Sequence, residues 1–205
     1  MPAQGKFVIG GQTYHVAKRN LEGLDNGDIR STQHFVLLSY GVFDWLTIDL
    51  KGGAGDIHHQ RDFADEISYP AFMSGGYGFR LRLYEQNATK VVFGFQHISV
   101  HPYTQAISGN AEGEKFKTVL DDWQISFLAS HNVWKLTPYA GLRWARMDLI
   151  RWVNDDNRNR IKSEDSESIG VIIGIDIPVH DRVWVNVEGS FADAQALAGS
   201  LNFSF

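Results

Sequence analysis

The sequence predicts an all-β chain that closes into a transmembrane, antiparallel, up-and-down β-barrel of ten strands, with eight as the alternative count. Three observations predict it. Apolar and polar residues alternate with period two along most of the chain. Short turns alternate with long polar segments, and aromatic residues gather at strand ends.

The clearest strand is Val183-Trp184-Val185-Asn186-Val187-Glu188-Gly189-Ser190-Phe191, with Val183, Val185, Val187 and Phe191 on one face and Asn186, Glu188 and Ser190 on the other. Leu46, Ile48 and Leu50 likewise oppose Thr47, Asp49 and Lys51. Phe79, Leu81 and Leu83 oppose Arg80 and Arg82, and Leu142 and Trp144 oppose Tyr139 and Arg143. Counted this way the strands run over 6–18, 31–41, 44–55, 73–85, 89–101, 119–131, 134–148, 167–178, 181–192 and 196–205. No linker or composition shift divides them, so residues 1–205 read as a single barrel domain.

The longest apolar runs fall far short of the roughly 20 residues a membrane helix needs. Only alternate residues of a barrel strand must be apolar, which fits ordinary composition. Tight turns are expected near 41–44, 85–88, 131–132 and 179–181. Long loops are expected over about 19–30, 56–72, 102–118 and 149–166. Phe43 and Trp45, Tyr84, Trp134 and Trp184 flank the short turns; Trp123, Trp144 and Trp152 lie toward the long loops. These read as two interfacial girdles.

A barrel this narrow is largely filled by its own side chains. The expected lumen network is Asp49, Lys51, Arg80, Arg82, Gln96, Lys135, Arg143, Asp176 and Glu188, a mixture of both signs. There are no cysteines, which removes disulfides and thiolate metal sites. The net charge of −5 carries no basic stripe, so no nucleic-acid partner is expected. Gly52-Gly53-Ala54-Gly55 lacks the lysine and the helix of a phosphate loop, and no cofactor is expected. His15, His34, His58, His59 and His101 sit near the long-loop rim. Adjacent His58 and His59 would point oppositely, and no metal site is expected.

The chain ends Leu201-Asn202-Phe203-Ser204-Phe205. Here it resembles bacterial outer-membrane β-barrel proteins, whose last strand ends in an aromatic with apolar residues at alternating positions behind it. The resemblance implies that Leu201, Phe203 and Phe205 are read by the barrel-insertion machinery. It also implies that the chain sits in the outer membrane among phospholipid and lipopolysaccharide, where an extracellular ligand or protein could meet its long loops. The opening Met1-Pro2-Ala3-Gln4-Gly5 has no basic segment followed by an apolar core. The expectation is therefore a mature form with an added initiator Met and no signal peptide.

One segment invites chemistry: Phe93-Gly94-Phe95-Gln96-His97-Ile98-Ser99-Val100-His101. His97 and Ser99 are two apart on a strand, so they face the same way, and the alternation turns them outward. A histidine beside a serine is the start of a base-activated nucleophile. The segment resembles outer-membrane phospholipase A and the lipid A deacylases, which carry His-x-Ser on a lipid-facing strand. That resemblance implies His97 as base and Ser99 as nucleophile, with a third member on a neighbouring strand among Asn110, Glu112 and Glu114; Glu112 is the choice. Val100 stands where both families have Asn. The leading expectation is a structural or surface-interaction barrel without catalysis. A lipid esterase using His97 and Ser99, and a narrow solute or ion channel, are the alternatives.

Overall fold

The computed structural model of the chain describes residues 1–23, 26–62, 65–106, 115–154 and 160–205. In chain order the strands are β1 (Phe7–Gly23), β2 (Gly27–Phe43), β3 (Leu46–Arg61), β4 (Ile67–Gln86), β5 (Thr89–His101) and β6 (Gln105–Ala106). They continue as β7 (Lys115–His131), β8 (Thr137–Val153), β9 (Arg160–Asp165), β10 (Ile169–His180), β11 (Val183–Phe191) and β12 (Gln195–Ser204). Every neighbouring pair is antiparallel, and β12 pairs back onto β1, so the sheet closes. Ten of the strands form the ring; β6 and β9 are additions at its long-strand end.

Closure leaves no edge of the ten-strand ring unpaired among the described residues, which is what a backbone in lipid requires. The outward face is apolar: on β10 alone Ile169, Val171, Ile173, Ile175, Ile177 and Val179 alternate with inward residues. Ten steps of about 3.3 Å at a tilt of about 40° give this row a height of about 25 Å, the thickness of an outer-membrane apolar belt.

All ten expected strands are present, but β1, β2, β3, β4, β7 and β8 run well past the expected ends. Much of what read as long loop is strand. The reason is an inversion of the pattern above the belt. There the outward face is polar (Arg30, Asp56, His58, Arg146) and the inward face apolar (Leu21, Ile29, Ile57, Ile67, Tyr69, Phe116). Bulges help to make the switch. The register shift between Val16 and Arg19 moves the inward set of β1 from Val16 to Arg19 and Leu21.

The molecule therefore has two storeys. In the lower one, strands face lipid outside and enclose polar groups. In the upper one they face water outside and enclose an apolar core that also includes Phe35, Ile98, Val100, Leu120, Met147 and Leu149. Strands β10, β11 and β12 do not reach the upper storey. β9 takes their place there, pairing with β8 through Asp148↔Glu164 to Trp152↔Arg160 and with β1 through Leu21↔Asp165 to Gly23↔Ser163.

A layer of buried charge lies between the storeys. The guanidinium of Arg19, 3% exposed, donates to Asp122 and to Asp165, each at 2.9 Å. Arg143 donates two bonds of 2.8 Å to Asp193, which the β11–β12 connection folds into the barrel. Glycine makes room for that carboxylate: a Cβ on Gly170 would lie 1.9 Å from Asp193 Oδ1.

Candidate functional site

Two regions hold functional groups: the outward wall at the upper border of the belt, and the lumen of the lower storey. On the outward wall β5 presents Val91, Phe93 and Phe95 to the belt and then His97, Ser99 and His101 above them. Its neighbour β7 presents Phe127, Ile125 and Trp123 and then Asp121. The ladder pairs His97 with Trp123 and Ser99 with Asp121.

His97 packs on Trp123, with ring centroids 4.0 Å apart, and against Tyr77 at 5.3 Å. Immediately above, the Ser99 hydroxyl donates to Asp121 Oδ1 at 2.6 Å and lies 2.9 Å from His101 Nε2. His97 Nε2 faces the same carboxylate oxygen at 3.5 Å. On the other side of Ser99 the ladder places Gly75 of β4 and then Gly52 of β3, so no side chain stands beside the hydroxyl in that direction.

A serine hydroxyl has one proton, so its two contacts cannot both be donations. In one arrangement Ser99 donates to Asp121 while His101 Nε2–H donates to Ser99. In the other, Ser99 donates to an unprotonated His101 Nε2, and the oxygen is poised for base-assisted attack.

The expected pair is thus on one face, as the alternation implied, but the imidazole bonded to Ser99 is that of His101 and the carboxylate is Asp121. Glu112, with Asn110 and Glu114, lies outside the described residues. Sequence reasoning placed Asp121 on the strand over 119–131 but did not single it out, because its pairing with Ser99 depends on the cross-strand register. In the structure Asp121 faces out and its neighbour Asp122 faces in toward Arg19. His58 and His59 also point oppositely: His58 bonds Ser68 on the outside, and His59 is buried inside.

The lower lumen encloses a cavity of about 680 Å³, lined by Asp49, Lys51, Arg80, Arg82, Gln96, Lys135, Asp176 and Glu188. Arg143, the remaining member of the expected network, also points inward but is occupied by Asp193 above it. Arg80 binds Asp49 through bonds of 2.7 and 2.6 Å, and Ser39 donates to the same carboxylate. Arg82 is held at the rim by Glu85 and by the Asp44 carbonyl. Gln96 donates to Gln124. Two girdle residues are corrected: Trp184 shares the inward face of β11 with Asn186 and Glu188 and lines the cavity instead of meeting lipid, and Trp152 lies eight residues above Trp144 on β8, in the upper storey beneath Lys117 and Arg160. For Trp184 the inward face was legible in the period-two pattern; proximity to a turn misled.

Leu201 and Phe203 face outward on β12, and Phe205 follows them, its amide donating to the Phe7 carbonyl.

No protein-family model matches the sequence, and no curated protein matches it. Among solved structures the chain is similar to the translocator domain of the autotransporter NalP from Neisseria meningitidis. The TM-score is 0.51 at 14% identity, covering 100% of this chain and 89% of that one. The fold is that of an outer-membrane β-barrel. Two looser matches are the outer membrane protease OmpT from Escherichia coli (TM-score 0.47, 12% identity, 97% of this chain and 93% of that one) and the outer membrane protein OprG from Pseudomonas aeruginosa (0.47, 10%, 99% and 97%).

Proposed function

We propose that the chain is an integral outer-membrane protein whose lumen does not conduct and whose work is done at its outer wall and rim. In this reading the insertion machinery engages Leu201, Phe203 and Phe205. Phospholipid and lipopolysaccharide surround the belt, and the upper storey meets extracellular ligands. The observation that carries it is the apolar core of Leu21, Ile57, Tyr69, Phe116 and their neighbours, which stands in the path of any solute through the upper lumen. A conducting lumen needs a continuous wet path. The test is conductance of the refolded barrel in planar bilayers. The expected record is flat, and stable ohmic steps would replace this reading with the channel.

A second reading, ester hydrolysis, is favoured by one observation: Ser99 within hydrogen-bond reach of both His101 and Asp121, on the outward wall where acyl chains give way to headgroups. In this reading Ser99 Oγ attacks an acyl carbonyl while His101 Nε2 takes its proton. The same imidazole then returns the proton to the departing alkoxide, and water releases the acyl group from Ser99. Transfer of the Ser99 proton to His101 takes it from the Asp121 carboxylate, which then offsets the imidazolium charge, and His97 faces Asp121 from the far side at 3.5 Å.

The test is hydrolysis in mixed micelles of phospholipid and lipopolysaccharide by wild type, Ser99→Ala, His101→Gln and His97→Gln. Turnover lost in the first two variants and retained in part by the third supports the reading. Loss through His97 alone restores the His-x-Ser assignment. No turnover by well-folded wild type leaves the non-catalytic surface barrel.

A further inference from the structure

The lower lumen is a blind chamber. It opens at the short-turn end, where Trp184 and Lys135 line it beside Met1 and Pro2 of the chain's own amino terminus, and its inner part is lined by Leu37, Lys51 and Ile172. Its volume of about 680 Å³ lies within the range of small-molecule pockets.

The charges inside are not all paired. On β3, Lys51 reaches only the Gln12 amide oxygen, at 3.4 Å, among the described residues; its ammonium sits 5.7 Å above the ring of Phe35. Glu188 of β11 and Asp176 of β10 are held by neutral donors. Tyr139 donates to Glu188 at 2.8 Å, and Asn186 donates to Tyr139 and to Asp176, each at 2.8 Å. The ring order puts β3 and β10 five strands apart in a ring of ten, on opposite walls. One wall therefore offers an ammonium with spare donors, and the other offers two carboxylates with spare acceptors, with the chamber between them.

Contrast the pair beside them. Arg80 and Asp49 meet directly through two bonds and satisfy each other, as a purely structural lumen network would. Lys51 and Glu188 do not meet. Held-apart charges of opposite sign in a partly enclosed space are complementary to a solute that carries both signs.

We propose that this chamber is a binding site for a small zwitterionic solute entering from the short-turn end. The solute's carboxylate lies on Lys51 and its ammonium on Glu188 and Asp176. This inference is independent of catalysis at Ser99 and requires only the non-conducting barrel.

The test uses nitrogen-15-labelled protein in detergent micelles, titrated with glycine and with 4-aminobutyrate, two zwitterions of different charge separation. Acetate and butylamine serve as single-charge controls. The reporter is the indole N–H signal of Trp184, identified by its disappearance in Trp184→Phe. The expected result is a saturable shift with at least one zwitterion, weakened about tenfold or more in Lys51→Met and in Glu188→Gln. Both variants should keep the heat-dependent gel mobility of a folded barrel. Acetate and butylamine should each bind at least tenfold more weakly. No saturable shift in folded wild type, unchanged binding in Lys51→Met, or equal binding of acetate would each overturn the proposal.

Discussion

Replacing Arg143 by methionine tests the buried charge layer. Asp193 has no hydrogen-bond partner other than Arg143 among the described residues, and its side chain is 0% exposed. Removing the guanidinium leaves a carboxylate in the barrel with neither charge partner nor water. Breaking a buried pair in this way costs about 3–5 kcal/mol, and full burial with no substitute donor places this case near the upper end. A cost of about 4 kcal/mol lowers the folding equilibrium about a thousandfold. Arg19→Met is the internal comparison. There Asp122 keeps the Gln124 amide at 2.6 Å and Asp165 keeps the Met147 amide at 3.0 Å, so the loss should fall near the lower end. The assay is reversible urea unfolding in micelles followed by tryptophan fluorescence. The double variant Arg143→Met with Asp193→Leu should recover most of the loss, because no orphaned charge remains. A cost below about 1 kcal/mol for Arg143→Met, or no recovery in the double variant, would refute the reasoning.

Further outcomes follow from the same geometry. Adjacent glycines on β3 should behave oppositely: a Cβ on Gly53 would sit 1.8 Å from the His34 carbonyl oxygen, whereas one on Gly52 meets nothing within 4 Å. Gly53→Ala should cost about 3 kcal/mol or more in urea unfolding and Gly52→Ala almost nothing. Ile57→Ala, in the sealed upper core, should cost about 3 kcal/mol, while Leu50→Ala on the lipid face should cost under about 1 kcal/mol. In single-tryptophan variants, brominated lipid should quench Trp123 and Trp144 strongly and spare Trp184; strong quenching of Trp184 would reverse the facing of β11.

Strand number, closure and the lipid face were legible because the lower storey obeys one rule over its whole height. Ile169 to Val179 announces itself without any partner. The upper storey was not legible as strand because its rule is inverted. Leu21, Ile29 and Ile57 are apolar residues among charged ones, and a reader expecting apolar residues to face outward takes such segments for loops. Bulges compound this, since one extra residue in β1 carries Arg19 onto the face that Val16 occupied. The position of β9 was beyond reach for another reason. Six residues of mixed charge carry little periodicity, and only the gap above β10–β12 gives them a place.

The same inversion explains why the candidate outer site was half visible. Alternation fixed that His97, Ser99 and His101 share a face, because that needs only one strand. Which imidazole meets Ser99, and which carboxylate completes the group, depends on the stagger between β5 and β7. That stagger is set by the pairing of Ser99 with Asp121 across strands 22 residues apart in sequence. The group then falls where the outward surface changes from apolar to polar, for the same reason that the storeys exist. Below Trp123 the wall must satisfy lipid, and above it the wall must satisfy water. A polar cluster able to touch an acyl ester has its lowest desolvation cost at that border. The border also gives a direct discriminator between the two readings of the wall. Lengthening the belt upward by Asp121→Leu with Ser99→Val should leave a purely structural barrel folded and inserted. It should abolish any ester hydrolysis, so turnover that survives in the double variant would exclude this cluster as its source.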